Sequence, residues 1–238
     1  MLNLILQKFV PLLTTFAIFI NSIGGLFGVS AVIPYNPERA EVVVSGNVTT
    51  DINTVLEHYN SAVDKTGFVI GTSTTDIIGT PSVSYNGSDS SIDLTSYWDA
   101  VENTETYVFN IPSGGEILVS DVKSAKMSIS NGKRAIILKL KDTKRSGTSD
   151  DAIFRAYGWT GDASEVFSMI GATVDGGQIT ENYTDCTISC VIDDKNGKII
   201  YGDWDATGTV IIKNAVFSMF GMEITMDIDY TAKQHIDI

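Results

Sequence analysis

The feature that most restricts this chain lies near its C-terminus. Met222, Ile224, Met226, Ile228 and Tyr230 alternate without a break with Glu223, Thr225, Asp227, Asp229 and Thr231. A period of two puts the apolar side chains on one side of a β-strand and the polar ones in water, the pattern of an antiparallel sheet with one buried face. The segments before it supply its neighbours. Residues 182–193 read as a strand, 194–197 as a turn, 198–213 as a long strand, and 214–221 as an apolar connection into a last strand at 222–236, a three-stranded meander. In the long strand Ile200, Trp204, Val210 and Ile212 share a face with Gly202 and Gly208. Glycine leaves no side chain there and lets a strand bend, so a curved sheet with room on its apolar side is expected. Upstream, Asn131-Gly132 separates residues 123–130 from 133–141, and this dipeptide suits the two positive-φ positions of a type I′ hairpin. On its second strand Ile136, Leu138 and Leu140 alternate with Ile137, Lys139 and Lys141, again giving one buried face.

Helices should lie against that face. Asp51 is placed to cap a helix whose stripe is Ile52, Val55, Leu56, Tyr59 and Val63, with Gly67 ending it in a left-handed conformation. Before it, residues 42–44 form a short apolar strand or packing segment. After it, residues 68–78 read as a strand, 81–93 as a loop, and 94–103 as a short helix. Residues 143–150 read as a polar loop, with Ser149 or Asp150 capping a helix to Tyr157 and Asp162 capping another to Ile170.

The N-terminus has a different character. Residues 9–33 carry no charge, and Lys8 is the single charged residue among the first 31. An apolar run over 9–20, a turn-prone stretch over 21–28 and the small residues Val29-Ser30-Ala31 fit a signal peptide cut after Ala31. The same uncharged length could instead remain as a membrane anchor. The soluble domain is then 32–238, secreted or extracytoplasmic, and held at the cell surface if the leader stays. Losing residues 1–31 removes one Lys and no acid, moving the net charge from −13 to −14. A chain this acidic does not grip nucleic acid phosphates or anionic lipid by charge.

Nothing here forms a catalytic constellation, so the chain reads as non-enzymatic, with no cofactor and no metal. Cys186 and Cys190 lie four apart in a strand, about 13 Å, beyond the roughly 7 Å reach of a disulfide. They read as small buried hydrophobes beside Ile188 and Ile192. Asp203, Asp205, Glu223, Asp227 and Asp229 read as a solvated strand face that discourages edge pairing. His58 and His235 have no nucleophile beside them in sequence. The apolar connection, with Val216, Phe217, Met219 and Phe220 before Met222, has two readings: a lip that repacks around acyl chains, or a loop tucked under the helices to finish the core.

Three stretches carry a resemblance: His58-Tyr59-Asn60-Ser61-Ala62-Val63-Asp64-Lys65, Asp121-Val122-Lys123-Ser124-Ala125, and Asp185-Cys186-Thr187-Ile188-Ser189-Cys190 ahead of Asn196-Gly197-Lys198. Over residues 50–236 the chain resembles a group of uncharacterised exported proteins of Gram-positive gut bacteria, similar in architecture to the LolA and mycobacterial LppX-like lipoprotein carriers. The resemblance implies an α+β fold: a strongly bent antiparallel sheet, an incomplete barrel, with helices over its apolar face. It also implies a hydrophobic or lipidic ligand between sheet and helices, for which Trp204, Phe217, Met219, Phe220, Met222 and Met226 are the candidate contacts. The other expectation is an envelope adhesion or interaction module whose core is filled by its own side chains. An apolar cavity of several hundred Å³ would favour the carrier.

Overall fold

The structure, a computed structural model, describes residues 41–85, 103–145, 150–158, 172–173, 179–219 and 222–238. The expected leader (1–31) and the expected helix at 162–170 lie outside the described residues, as does the expected helix at 94–103 except for Asn103, which is the first residue of a strand rather than the end of a helix. The described chain is mostly antiparallel sheet with two helices, an α+β arrangement. Strands β1 (Val48–Thr49), β2 (Phe68–Tyr85), β3 (Asn103–Asn110), β4 (Val122–Ser130), β5 (Lys133–Leu140), β8 (Ile179–Asp193), β9 (Ile199–Met219) and β10 (Met222–Asp237) run in the order β1-β4-β5-β8-β9-β10-β2-β3. The path is open, with β1 and β3 at its ends. Two short strands lie off it: β6 (Thr143–Arg145) pairs with β8, and β7 (Ala172–Thr173) with β9.

The local signals explain several of these elements. Asn131 and Gly132 take φ of 52° and 71°, and Ser130 pairs with Lys133 across the two-residue turn. In β5, Ile136, Leu138 and Leu140 are buried and Lys139 is exposed. Helix α1 (Ile52–Thr66) begins at Asp51, whose carboxylate accepts from the Thr54 amide at 2.8 Å, and buries Val55, Leu56, Tyr59 and Ala62. Gly67 ends it at φ 71° and ψ −133°, so φ is positive but the geometry is not left-handed helical; the chain passes directly into β2. Helix α2 (Ala152–Tyr157) is capped by Asp151, one residue beyond the expected Asp150. No helix among the described residues is long and apolar enough to cross a membrane.

Of the two readings of residues 42–44, the packing one fits Val42, which is buried, and the short strand is β1, opposite Met127 and Ser128. Three expectations are corrected. Residues 81–85, expected as the start of a loop, belong instead to β2, which runs on to Tyr85. Its register against β10 jumps from Ile78↔Thr231 to Ser82↔Asp229, so Gly79, Thr80 and Pro81 form a bulge where Pro81 costs no ladder hydrogen bond. Residues 143–145 are the strand β6 rather than loop, and residues 103–110, unread as strand, form β3. Most consequentially, 214–219 are not a connection but the end of β9. Asn214 at φ 55° makes a bulge opposite Asp227, after which Ala215 faces Met226, Phe217 faces Ile224 and Met219 faces Met222. The Asn214 amide donates to the Asp227 carboxylate at 2.7 Å and Lys213 pairs with it at 3.2 Å, fastening the bulge. These contacts hold the Asp227 carboxyl below its ordinary pKa, the Asn214 hydrogen bond first among them.

Candidate functional site

The volume between sheet and α1 is where a carrier would hold its ligand. Trp204 occupies it: the side chain is fully buried and its Nε1 donates to the Tyr59 hydroxyl on α1 at 3.2 Å. Around the pair, Val55, Ile136, Leu138, Ile153, Ile188, Cys190 and Ile199 have no exposed surface. Burial in that apolar shell pushes the Tyr59 hydroxyl pKa far up, so it stays a neutral hydrogen-bonding group. The helix is fastened at its middle and at its C-terminal end. Asn60 exchanges hydrogen bonds with the backbone of Ile117, and the Thr66 hydroxyl accepts from the Ile199 amide at 2.9 Å while donating to the Ala62 carbonyl.

The room expected at the strand glycines is taken. A Cβ on Gly202 would lie 2.7 Å from the Ser189 carbonyl oxygen, 2.8 Å from Cys190 Cβ and 2.9 Å from the Trp204 ring. One on Gly208 would meet the Tyr183 ring at 3.1 Å. These glycines admit side chains of the same molecule. Of the other proposed contacts, Phe217 and Met219 stand in β9, and Met222 and Met226 in β10, paired as above and distant in sequence from the Trp204↔Ile236 pair; Phe220 lies outside the described residues. Trp204 and the Met-rich strand ends therefore belong to different stretches of one ribbon.

Cys186 and Cys190 are free and buried. Burial pushes the Cys186 thiol up to about 12 and raises Cys190 further, so neither is a thiolate nucleophile near neutral pH.

Beyond Cys186 the same inner face buries charge. The Arg145 side chain has no exposed surface; its Nε donates to Asp151 at 2.7 Å, a second guanidinium nitrogen also bonds that carboxylate, and Glu181 lies 3.8 Å away. The guanidinium sits 5.5 Å from the centre of the Tyr183 ring, and the Tyr183 hydroxyl donates to Glu181 at 2.8 Å. Asp151 also accepts from the Phe154 amide as the α2 cap, so this network ties β6, β8 and α2 together. Nothing in the alternation of residues 179–183 marks it, because a buried Glu reads as solvent-facing until its partner is seen.

The outer face carries Asp203, Asp205, His235 and Asp237 as two directly opposed pairs, His235↔Asp205 and Asp237↔Asp203. His235 Nδ1 lies 2.8 Å from the Asp205 carboxylate and Nε2 3.8 Å from Asp203. The sequence showed the aspartates as a wet face and His235 as isolated; only strand register brings them together.

An open surface exists at the β1 edge. A groove of about 590 Å³ is lined by Gly46, Asn47, Val48, Thr49, Met127 and Ile129. Met127 is buried, whereas Ile129 is 55% exposed and Val48 42%, with Val43 nearby in sequence at 62%. The groove's one signal in the sequence is an apolar Ile129 two residues before the Asn131-Gly132 turn. Comparison with protein-family models, curated proteins and solved structures finds no match to this chain.

Proposed function

We propose that this chain is an extracytoplasmic, non-enzymatic interaction module with a filled core, which engages a protein partner through the mixed polar and apolar groove at the β1–β4 edge. The observation that carries this reading is Trp204, closed into the space between α1 and the sheet and hydrogen-bonded to Tyr59. A ligand there would have to displace the largest side chain of the core. The groove instead offers exposed Val48 and Ile129 beside a polar rim of Asn47 and Thr49, the anatomy of a contact patch. The bent sheet of the LolA and LppX-like carriers remains part of the proposal, supported by the bulges at Asp185, Asn214 and Gly79, since bulges bend strands.

A hydrophobic or lipidic ligand is the second reading. It is favoured by the apolar register of the strand ends, where Phe217 opposes Ile224 and Met219 opposes Met222. One pair of measurements separates the two. A photo-crosslinking residue at position 129 should give a protein adduct in the native envelope, while the same residue at exposed Lys139 should not. Native mass spectrometry of the gently isolated chain should show a bare mass. A lipid adduct in the spectrum together with no crosslink at 129 would overturn the module reading in favour of the carrier.

A further inference from the structure

We propose that His235 is a pH-sensitive latch: protonated, it fastens the C-terminal end of β10 to β9, and neutral, it lets that end slacken. Register places the group. His235 stands opposite Asp205 and Asp237 opposite Asp203 on the outer face, and an imidazole nitrogen of His235 and a carboxylate oxygen of each of Asp203 and Asp237 lie within 4.8 Å of one another. Two aspartates directly opposite on antiparallel strands repel. An imidazolium between them removes that repulsion, hydrogen-bonded to Asp205 through Nδ1 and facing Asp203 through Nε2.

Other groups face it from the neighbouring strands. From β10 itself come Lys233 and Asp237; from β2, Thr74 opposite His235, Thr72 opposite Asp237, and Asp76 opposite Lys233. From β8, Thr187 and Ser189 stand opposite Asp205 and Asp203, and β3 brings Thr104 opposite Thr74. The hydrogen bond to Asp205, with the fields of Asp203 and Asp237, holds the imidazole above its ordinary value despite partial burial. The stability this contributes is therefore complete below the unfolded value of about 6.5 and is lost as pH rises through the folded value.

The latch closes over the core. On the inner side of the same two strands Ile236 stands opposite Trp204, and Gly202 and Ile238 exchange backbone hydrogen bonds at 3.0 and 3.1 Å. The test uses the full chain. The imidazole of His235 should titrate above about 6.5 by NMR, with His58 in the same spectrum for comparison. Amide exchange at Gly202 and Ile238, corrected for intrinsic rates, should show opening rise roughly two- to five-fold as His235 loses its proton, the range of a half-exposed ion pair. H235Q should open at the faster level at every pH, and D205N should lower the His235 titration midpoint. A His235 midpoint at or below the ordinary value, or a pH dependence of opening that H235Q retains, would overturn the latch.

Discussion

The inner face of the sheet has two halves built from the same strands, one apolar and the other burying an ionic network among its apolar side chains. Under α1, residues 186–192 of β8, 199–206 of β9 and the C-terminal Ile236 and Ile238 join Tyr59, Ile136, Leu138 and Ile153 in an apolar core whose few polar atoms are satisfied locally. Beyond it, residues 179–183 of β8 bury Arg145 against Glu181, Tyr183 and Asp151. The boundary is one residue. Asp185 at φ 54° is a bulge, so buried positions run 179, 181, 183 before it and 186, 188, 190 and 192, with Val191 also buried, after it. The difference is in tolerance. An apolar core loses stability in proportion to the volume removed, whereas a buried ionic network loses most when a single partner is taken away.

Substitutions on either side of the bulge sharpen this contrast. The largest effect is expected from W204A, which opens a cavity at the centre of the apolar half; a loss of about 3–5 kcal/mol in urea unfolding is expected. R145M leaves a buried Glu181 and a partly buried Asp151 without their cation and should cost about 3 kcal/mol, the lower end of the range for such pairs because Asp151 keeps some access to water. The double variant R145M/E181L should be more stable than R145M alone, and if it is instead less stable, the far half is not held as an ionic network. The two strand glycines compare the halves directly. G202A meets backbone and packed ring and should cost about 1–3 kcal/mol, whereas G208A presses on the edge of one tyrosine ring and should cost under about 1 kcal/mol. The smallest effect is chemical: the two native thiols should resist alkylation in the folded chain at neutral pH, while an I129C variant labels readily and stoichiometrically.

How much of this was legible in sequence follows from the range of the forces involved. The type I′ turn at Asn131-Gly132, the Asp51 cap and the buried face of β5 come from interactions spanning a few residues, and each stands where local chemistry put it. The strand ends did not follow the same rule. Asn214 and the Ser/Gly/Pro-rich stretch after Ile78 look like turns locally, yet a neighbouring strand recruits each into the sheet and absorbs the misfit as a bulge. Arg145 was assigned to a loop because its partner Glu181 is 36 positions away, and no periodicity connects them.

Of the proposed ligand contacts, Trp204 lies buried under α1, and alternation alone does not say whether the face it stands on is open. Alternation determines which side of a strand is apolar; it does not determine what fills the space above it. The antiparallel class, the hairpin, the capped helix and the apolar faces are properties of this sequence alone, because sterics and burial act on them residue by residue. That Tyr59 and Trp204 close the core, that Asp185 shifts the buried set by one, and that His235 meets three aspartates were decided only in the tertiary structure, where strand register joins residues that the chain itself keeps apart.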